Sequence, residues 1–166
     1  MPTTVNVSDD FELPLGALMT IIGRQYAGAL SHALEDCGAD RYLSIMLFLQ
    51  HAKRRVKQQF LADSLRIDKA SMVRMLDYLV ERGLIERVVN PSNRREYLLE
   101  LTTSGKRKIP RIEKEIAHID NRFFEGISPV AREKFLKTLK KLVGNAVSIP
   151  ARPVTLNFKH NSKSSC

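Results

Sequence analysis

Apolar residues recur along the chain at two spacings. Met72, Met75, Leu76 and Leu79 fall at i, i+3, i+4 and i+7, the pattern of one helix face. Asp68 precedes that run with a carboxylate able to accept from the free N–H groups of a first helical turn. Gly83 follows it, where a left-handed residue ends a helix without steric cost. Extended runs over 84–89 and 96–101 come next, joined by Asn90-Pro91-Ser92-Asn93-Arg94-Arg95. That hexamer predicts a hairpin turn with a basic tip. Upstream, residues 58–65 form a short amphipathic helix, and only Arg66 and Ile67 separate it from Asp68. Helix, tight turn, helix and hairpin is the order of a winged helix-turn-helix. Its second helix suits the major groove, and its loop can reach the backbone or the minor groove.

The flanks carry helical stripes. Leu15, Leu18, Met19, Ile22, Tyr26, Leu30 and Leu34 predict a first helix over 11–36 with Pro14 in its first turn. Gly16, Gly23 and Gly28 lower its propensity, so packing must support it, and they suggest close helix approach or a kink. Asp40 is expected to cap the second helix. Thr102 or Thr103 caps a long helix to about Phe124, with Ile109, Ile112, Ile116, Ile119 and Phe123 as its stripe and Pro110 bending it. Ser128-Pro129 opens a last helix with Phe135, Leu136, Leu139, Leu142 and Val143 on one face. The fold class is therefore mainly α with a small β-hairpin wing: a winged helix-turn-helix plus a helical dimerisation region. The expected divisions are a loose start (1–10), a helical region (11–52), the DNA-binding domain (53–102), C-terminal dimerisation helices (103–147) and a disordered tail (148–166).

Charge sharpens this picture. Of a formal net charge of +9, the stretch 53–111 holds 15 Lys and Arg against 7 Asp and Glu. A basic excess concentrated on one motif is the footprint of a polyanion binder. No run of apolar residues is long enough to cross a membrane and no signal peptide opens the chain, so the expectation is a soluble cytoplasmic protein with no membrane partner. Catalytic and metal sites are both read as none. There is no Gly-rich phosphate loop, no G-x-S-x-G and no H-E-x-x-H. His32, His51, His118 and His160 are scattered, and Cys37 and Cys166 make no disulfide framework. No cofactor is implied. Asp36 and Asp40 beside Cys37 disfavour a reactive thiolate there.

The segments L-A-D-S-L-R-I-D-K-A-S-M-V-R-M-L-D-Y-L-V-E-R-G-L-I-E-R and N-P-S-N-R-R-E-Y-L-L-E-L-T-T-S-G resemble the MarR family of bacterial transcriptional regulators over about 50 contiguous residues. The resemblance implies a homodimeric, non-enzymatic regulator of double-stranded DNA, a repressor on a pseudo-palindromic operator, released by a small-molecule effector or an oxidant. Lys57, Phe60, Arg66 and Pro110 depart from the family pattern, where a capping Ser or Thr, a polar residue and a helix-ending glycine occupy the first three positions. The family also has Asp where this chain has Asn93, an acid that helps hold the wing and its arginines. An uncharged residue there implies a looser wing.

Lys69 and Arg74 are candidates for phosphate or guanine contacts, Ser71 for phosphate, and Ala70 and Val73 for apolar contacts such as thymine methyl groups. Arg94 or Arg95 is expected to enter the minor groove from the wing tip. Asn93 and Arg87 support the wing. For an effector crevice between the dimer helices and the winged domain, the candidates are Arg24, Tyr26, His32 and His51. The alternative function is a winged-helix interaction module whose basic face binds an acidic protein.

Overall fold

A computed structural model describes residues 13–35, 42–52 and 54–151. The expected loose start, Asp40, both cysteines and most of the expected tail lie outside these residues. Among those described, six helices and three short strands follow in the order α1 (Leu15–Ala33), α2 (Leu43–His51), β1 (Val56–Lys57), α3 (Gln58–Leu65), α4 (Lys69–Glu81), β2 (Ile85–Asn90), β3 (Asn93–Leu101), α5 (Thr103–Phe123) and α6 (Pro129–Ala146).

The core gathers where the helical and strand stripes meet. Ile45 and Met46 of α2, Leu61 of α3, Met72, Leu76 and Leu79 of α4, Ile85 and Leu99 of the sheet, and Ile112 of α5 are all buried in one cluster. The sheet is antiparallel in the order β1-β3-β2, with Val56 opposite Leu99 and Ile85 opposite Leu101. Strand β1 leaves no pattern in the sequence, because its two residues are too few to show alternation. It is held to β3 beyond its ladder by Arg55, which donates to both oxygens of Glu100 at 2.7 and 3.1 Å.

Helix ends follow local chemistry. Asp68 accepts from the Ser71 N–H at 2.9 Å, Thr102 from Gly105 at 3.0 Å and Ser128 from Ala131 at 3.3 Å. Gly83, at φ +64°, closes α4, and the Leu84 N–H reaches back to the Leu79 carbonyl at 2.9 Å. Pro14 precedes the first turn of α1 as its cap, and α2 starts at Tyr42 in a left-handed conformation without a side-chain cap. Lys57 likewise gives α3 no side-chain acceptor.

Arg66 ends α3 at φ 55°, ψ 37°, and the Ile67 N–H donates to Ala62 at 3.0 Å. This is the helix-closing geometry that glycine adopts freely. A side chain there costs roughly 1–2 kcal/mol. Arg66→Gly is expected to stabilise the fold by about 0.5–1 kcal/mol, seen as a higher urea midpoint at constant slope. A lowered midpoint would show that the Arg66 side chain contributes more than its backbone costs.

Helices α1 and α6 bury none of their residues. Leu15 is 60% exposed, Ile22 51%, Phe135 50% and Val143 64%. A Cβ built on Gly16, Gly23 or Gly28 would meet nothing within 4 Å, so the close approach expected of these glycines does not occur among the described residues of the chain. Among the described residues, no helix is long and apolar enough to cross a membrane.

Candidate nucleic-acid interface

The burial of Met72, Leu76 and Leu79 sets the rotation of α4 and leaves Lys69, Ala70, Val73, Arg74 and Asp77 exposed. Four of the five recognition-helix candidates therefore share one solvent-facing stripe. Ser71 does not. It is 2% exposed, and its hydroxyl accepts from Arg74 Nη2 at 2.9 Å. Ser71 thus lies behind the stripe and anchors one of its guanidinium groups. Asp77 would set a negative charge at the far end of the stripe, but Arg87 pairs with it at 2.6 Å. Arg87 thus ties β2 to α4 and offsets a carboxylate that would oppose phosphate.

The wing differs from its expected form. The connection is the two residues Pro91-Ser92 rather than a hexamer, and β3 already begins at Asn93. Asn90 closes the turn by accepting from the Ser92 N–H at 3.0 Å. Such local side-chain bonds let asparagine direct a turn, a competition with the strand ladder that composition does not resolve. Arg94 and Arg95 are consequently strand residues. The ladder shifts register between the Val89–Tyr97 and Asn90–Asn93 pairs, so both arginines stand in an irregular part of β3 beside the turn. Both are exposed.

Asn93 accepts from the Arg95 N–H at 3.1 Å. Glu96 sits beside it, accepting from Lys57 at 2.7 Å and from Asn90 at 3.2 Å. Hydrogen bonding from Lys57, with smaller contributions from Asn90 and Asn93, holds the Glu96 carboxyl below its usual range. An acid at position 93 would keep the bond to Arg95 but remove a donor to Glu96 and add a like charge. Asn93→Asp is therefore expected to raise the Glu96 pKa and to weaken DNA binding by no more than about tenfold. Carboxyl NMR titration and binding to one duplex check both. An unmoved Glu96 pKa would contradict the network.

The four effector candidates are not brought together. Arg24 and His32 are exposed on α1. Tyr26 is engaged within the chain: its hydroxyl donates to Asp120 at 2.7 Å, and its ring meets Phe123 edge-on at 5.3 Å. Burial, then the bond to Asp120 and its charge, push the phenol well above its ordinary pKa. His51 lies at the far end of α2 with Nδ1 2.8 Å from the Leu47 carbonyl, so Nδ1 carries the proton. The Tyr26–Asp120 pair spans 94 residues, which no local pattern reveals. No group of three or more potential metal ligands occurs among the described residues.

Comparisons with known proteins agree with this geometry. The family model described as MarR family matches residues 44–97. A proposed transcriptional regulatory protein for the hcr operon of Thauera aromatica is 32% identical over 96 residues, and the match spans 58% of each chain. The crystal structure of MarR superposes with a TM-score of 0.72 at 32% identity, covering 82% of this chain and 100% of that one. CouR from Rhodococcus jostii RHA1 bound to p-coumaroyl-CoA gives a TM-score of 0.67 at 26% identity, covering 78% of this chain and 91% of its own.

Proposed function

This chain belongs to the MarR family of transcriptional regulators, and from that premise we propose that it is a homodimeric repressor of a pseudo-palindromic operator, released by a small-molecule effector. The observation that carries the DNA reading is the exposed stripe of Lys69, Ala70, Val73 and Arg74, flanked by a wing bearing Arg94 and Arg95. Two copies would set their α4 helices in successive major grooves, with Arg94 or Arg95 lying along the adjacent backbone or minor groove.

The dimer reading rests on α1 and α6. Apolar faces left this open on both terminal helices exceed what a soluble monomer ordinarily exposes, and covering them with a second copy doubles the phosphate contacts at one operator. The effector reading draws support from CouR, a similar structure that holds p-coumaroyl-CoA. The place of action is the cytoplasm, where the DNA is.

Light scattering across micromolar dilution tests the assembly, with twice the chain mass expected. Titration of duplex DNA at rising salt tests the partner. A steep linear fall of log affinity with log salt is expected. Tight binding to an acidic protein without affinity for duplex would favour the interaction-module alternative.

A further inference from the structure

One face of the hairpin can be followed from the core out to the wing. Ile85, Arg87 and Val89 of β2 stand opposite Leu101, Leu99 and Tyr97 of β3, and alternation puts all six on the same side of the sheet. At the base, Ile85, Leu99 and Leu101 are buried in the cluster that also holds Met72, Leu76 and Leu79 of α4. In the middle, Arg87 reaches across to Asp77 of α4 at 2.6 Å. The outermost pair stays open: Val89 is 48% exposed and Tyr97 54%.

This open pair continues the exposed stripe of α4. Arg87 meets the helix at Asp77, one turn beyond Val73 and Arg74. Val89 and Tyr97 form the next pair of the same face along the ladder, about 7 Å further on. Arg94 and Arg95 lie beyond them, beside the turn. A valine and an aromatic ring therefore stand in water between the cations of α4 and those of the wing, at a cost in free energy. A duplex that meets both sets of cations presents its sugar–phosphate wall to the ground between them. The deoxyribose rings of that wall are apolar, and its phosphate oxygens accept hydrogen bonds. Tyrosine suits both, with an apolar ring and a donor at its tip.

We propose that Tyr97, backed by Val89, is a DNA-contacting residue of the wing: its ring covers a deoxyribose and its hydroxyl donates to a phosphate oxygen. This role presupposes that the protein binds duplex DNA, and it adds a contact that carries no charge. A lysine or arginine on a phosphate displaces condensed counterions, so its contribution falls as salt rises. An uncharged ring and hydroxyl displace none. Tyr97 therefore holds the wing to the duplex with the same strength at low and high salt, which separates it from the arginines on either side.

The test is binding of the full-length protein to a duplex recovered by selection from a random pool, followed by anisotropy from about 50 to about 200 mM salt. Tyr97→Ala is expected to lower affinity about tenfold at every salt concentration and to leave the slope of log affinity against log salt unchanged. Tyr97→Phe should lose about threefold, the share of one neutral hydrogen bond. Hydroxyl-radical cleavage, which attacks deoxyribose, should find sugars beside the wing protected by the wild type and opened by Tyr97→Ala, with the protection opposite α4 retained. The side chain is exposed, and the amide spectrum reports that each variant folds. A Tyr97→Ala protein within about twofold of the wild type, or one whose salt slope falls by about one as for a lost phosphate cation, would overturn the contact while duplex binding by the wild type stands. A wild type without salt-sensitive binding to any duplex would overturn the DNA reading along with it.

Discussion

Gly105→Ala is expected to destabilise the protein by about 3 kcal/mol, a large part of the roughly 5–15 kcal/mol that a domain has. In an ordinary helix the same change stabilises by about 0.5–1 kcal/mol, so local propensity and packing predict opposite signs. Packing wins here because of what lies opposite. A Cβ on Gly105 would stand 2.0 Å from the Leu84 carbonyl oxygen and 3.0 Å from its carbon, with Leu101 Cδ2 at 3.2 Å. The nearest two atoms are backbone and cannot swing aside. They are also pinned: Leu84 accepts from the Thr102 N–H at 3.1 Å, and the Thr102 hydroxyl reaches the Gly83 carbonyl at 2.7 Å. Moving Leu84 would disturb the end of α4, the base of the hairpin and the cap of α5 together. A urea midpoint lowered at unchanged slope is the expected reading. Equal or higher stability would mean that α5 can shift along the sheet without cost.

Arg74→Ala is expected to have the largest effect on DNA binding. Arg74 stands in the middle of the exposed stripe of α4, and its guanidinium is oriented by the bond to Ser71. A bidentate contact to guanine is worth about 1–3 kcal/mol of discrimination, or roughly 5- to 150-fold in affinity. If Arg74 reads a base, its loss relaxes preference at one position in each half-site. If it meets a phosphate instead, binding weakens on every sequence and the salt slope falls by about one per contact. Ser71→Ala should give a smaller version of the same change, because it leaves the cation but not its anchor. Unchanged affinity and preference on removing Arg74 would take the centre of α4 out of the interface.

Much of the fold was readable because its signals are local. Asp68 and Gly83 bracket α4, Thr102 and Ser128 start α5 and α6, and the core stripe of Met72, Leu76 and Leu79 sets which residues of α4 face outward. Periodicity is less informative at a stripe boundary: Ser71 sits next to Met72 and is buried, although as a polar residue it reads as outward. The wing tip is not legible from composition, because Asn, Pro and Ser all favour turns, whereas the closing pair Asn90–Asn93 and the register shift beside it arise only when β2 and β3 meet. Interactions distant in sequence left no local trace. Arg87 with Asp77, Arg55 with Glu100 and Tyr26 with Asp120 depend on which elements meet, and β1 is too short to show its period.

Selection of bound sequences from a random pool of duplexes is the most direct test of the central claim, since it asks at once whether the protein reads DNA and whether two copies read it together. The expected result is a two-fold symmetric motif whose half-site centres lie about one helical turn, roughly 10 base pairs, apart. A pool that stays unenriched, or an enriched motif with a single asymmetric half-site, would contradict it.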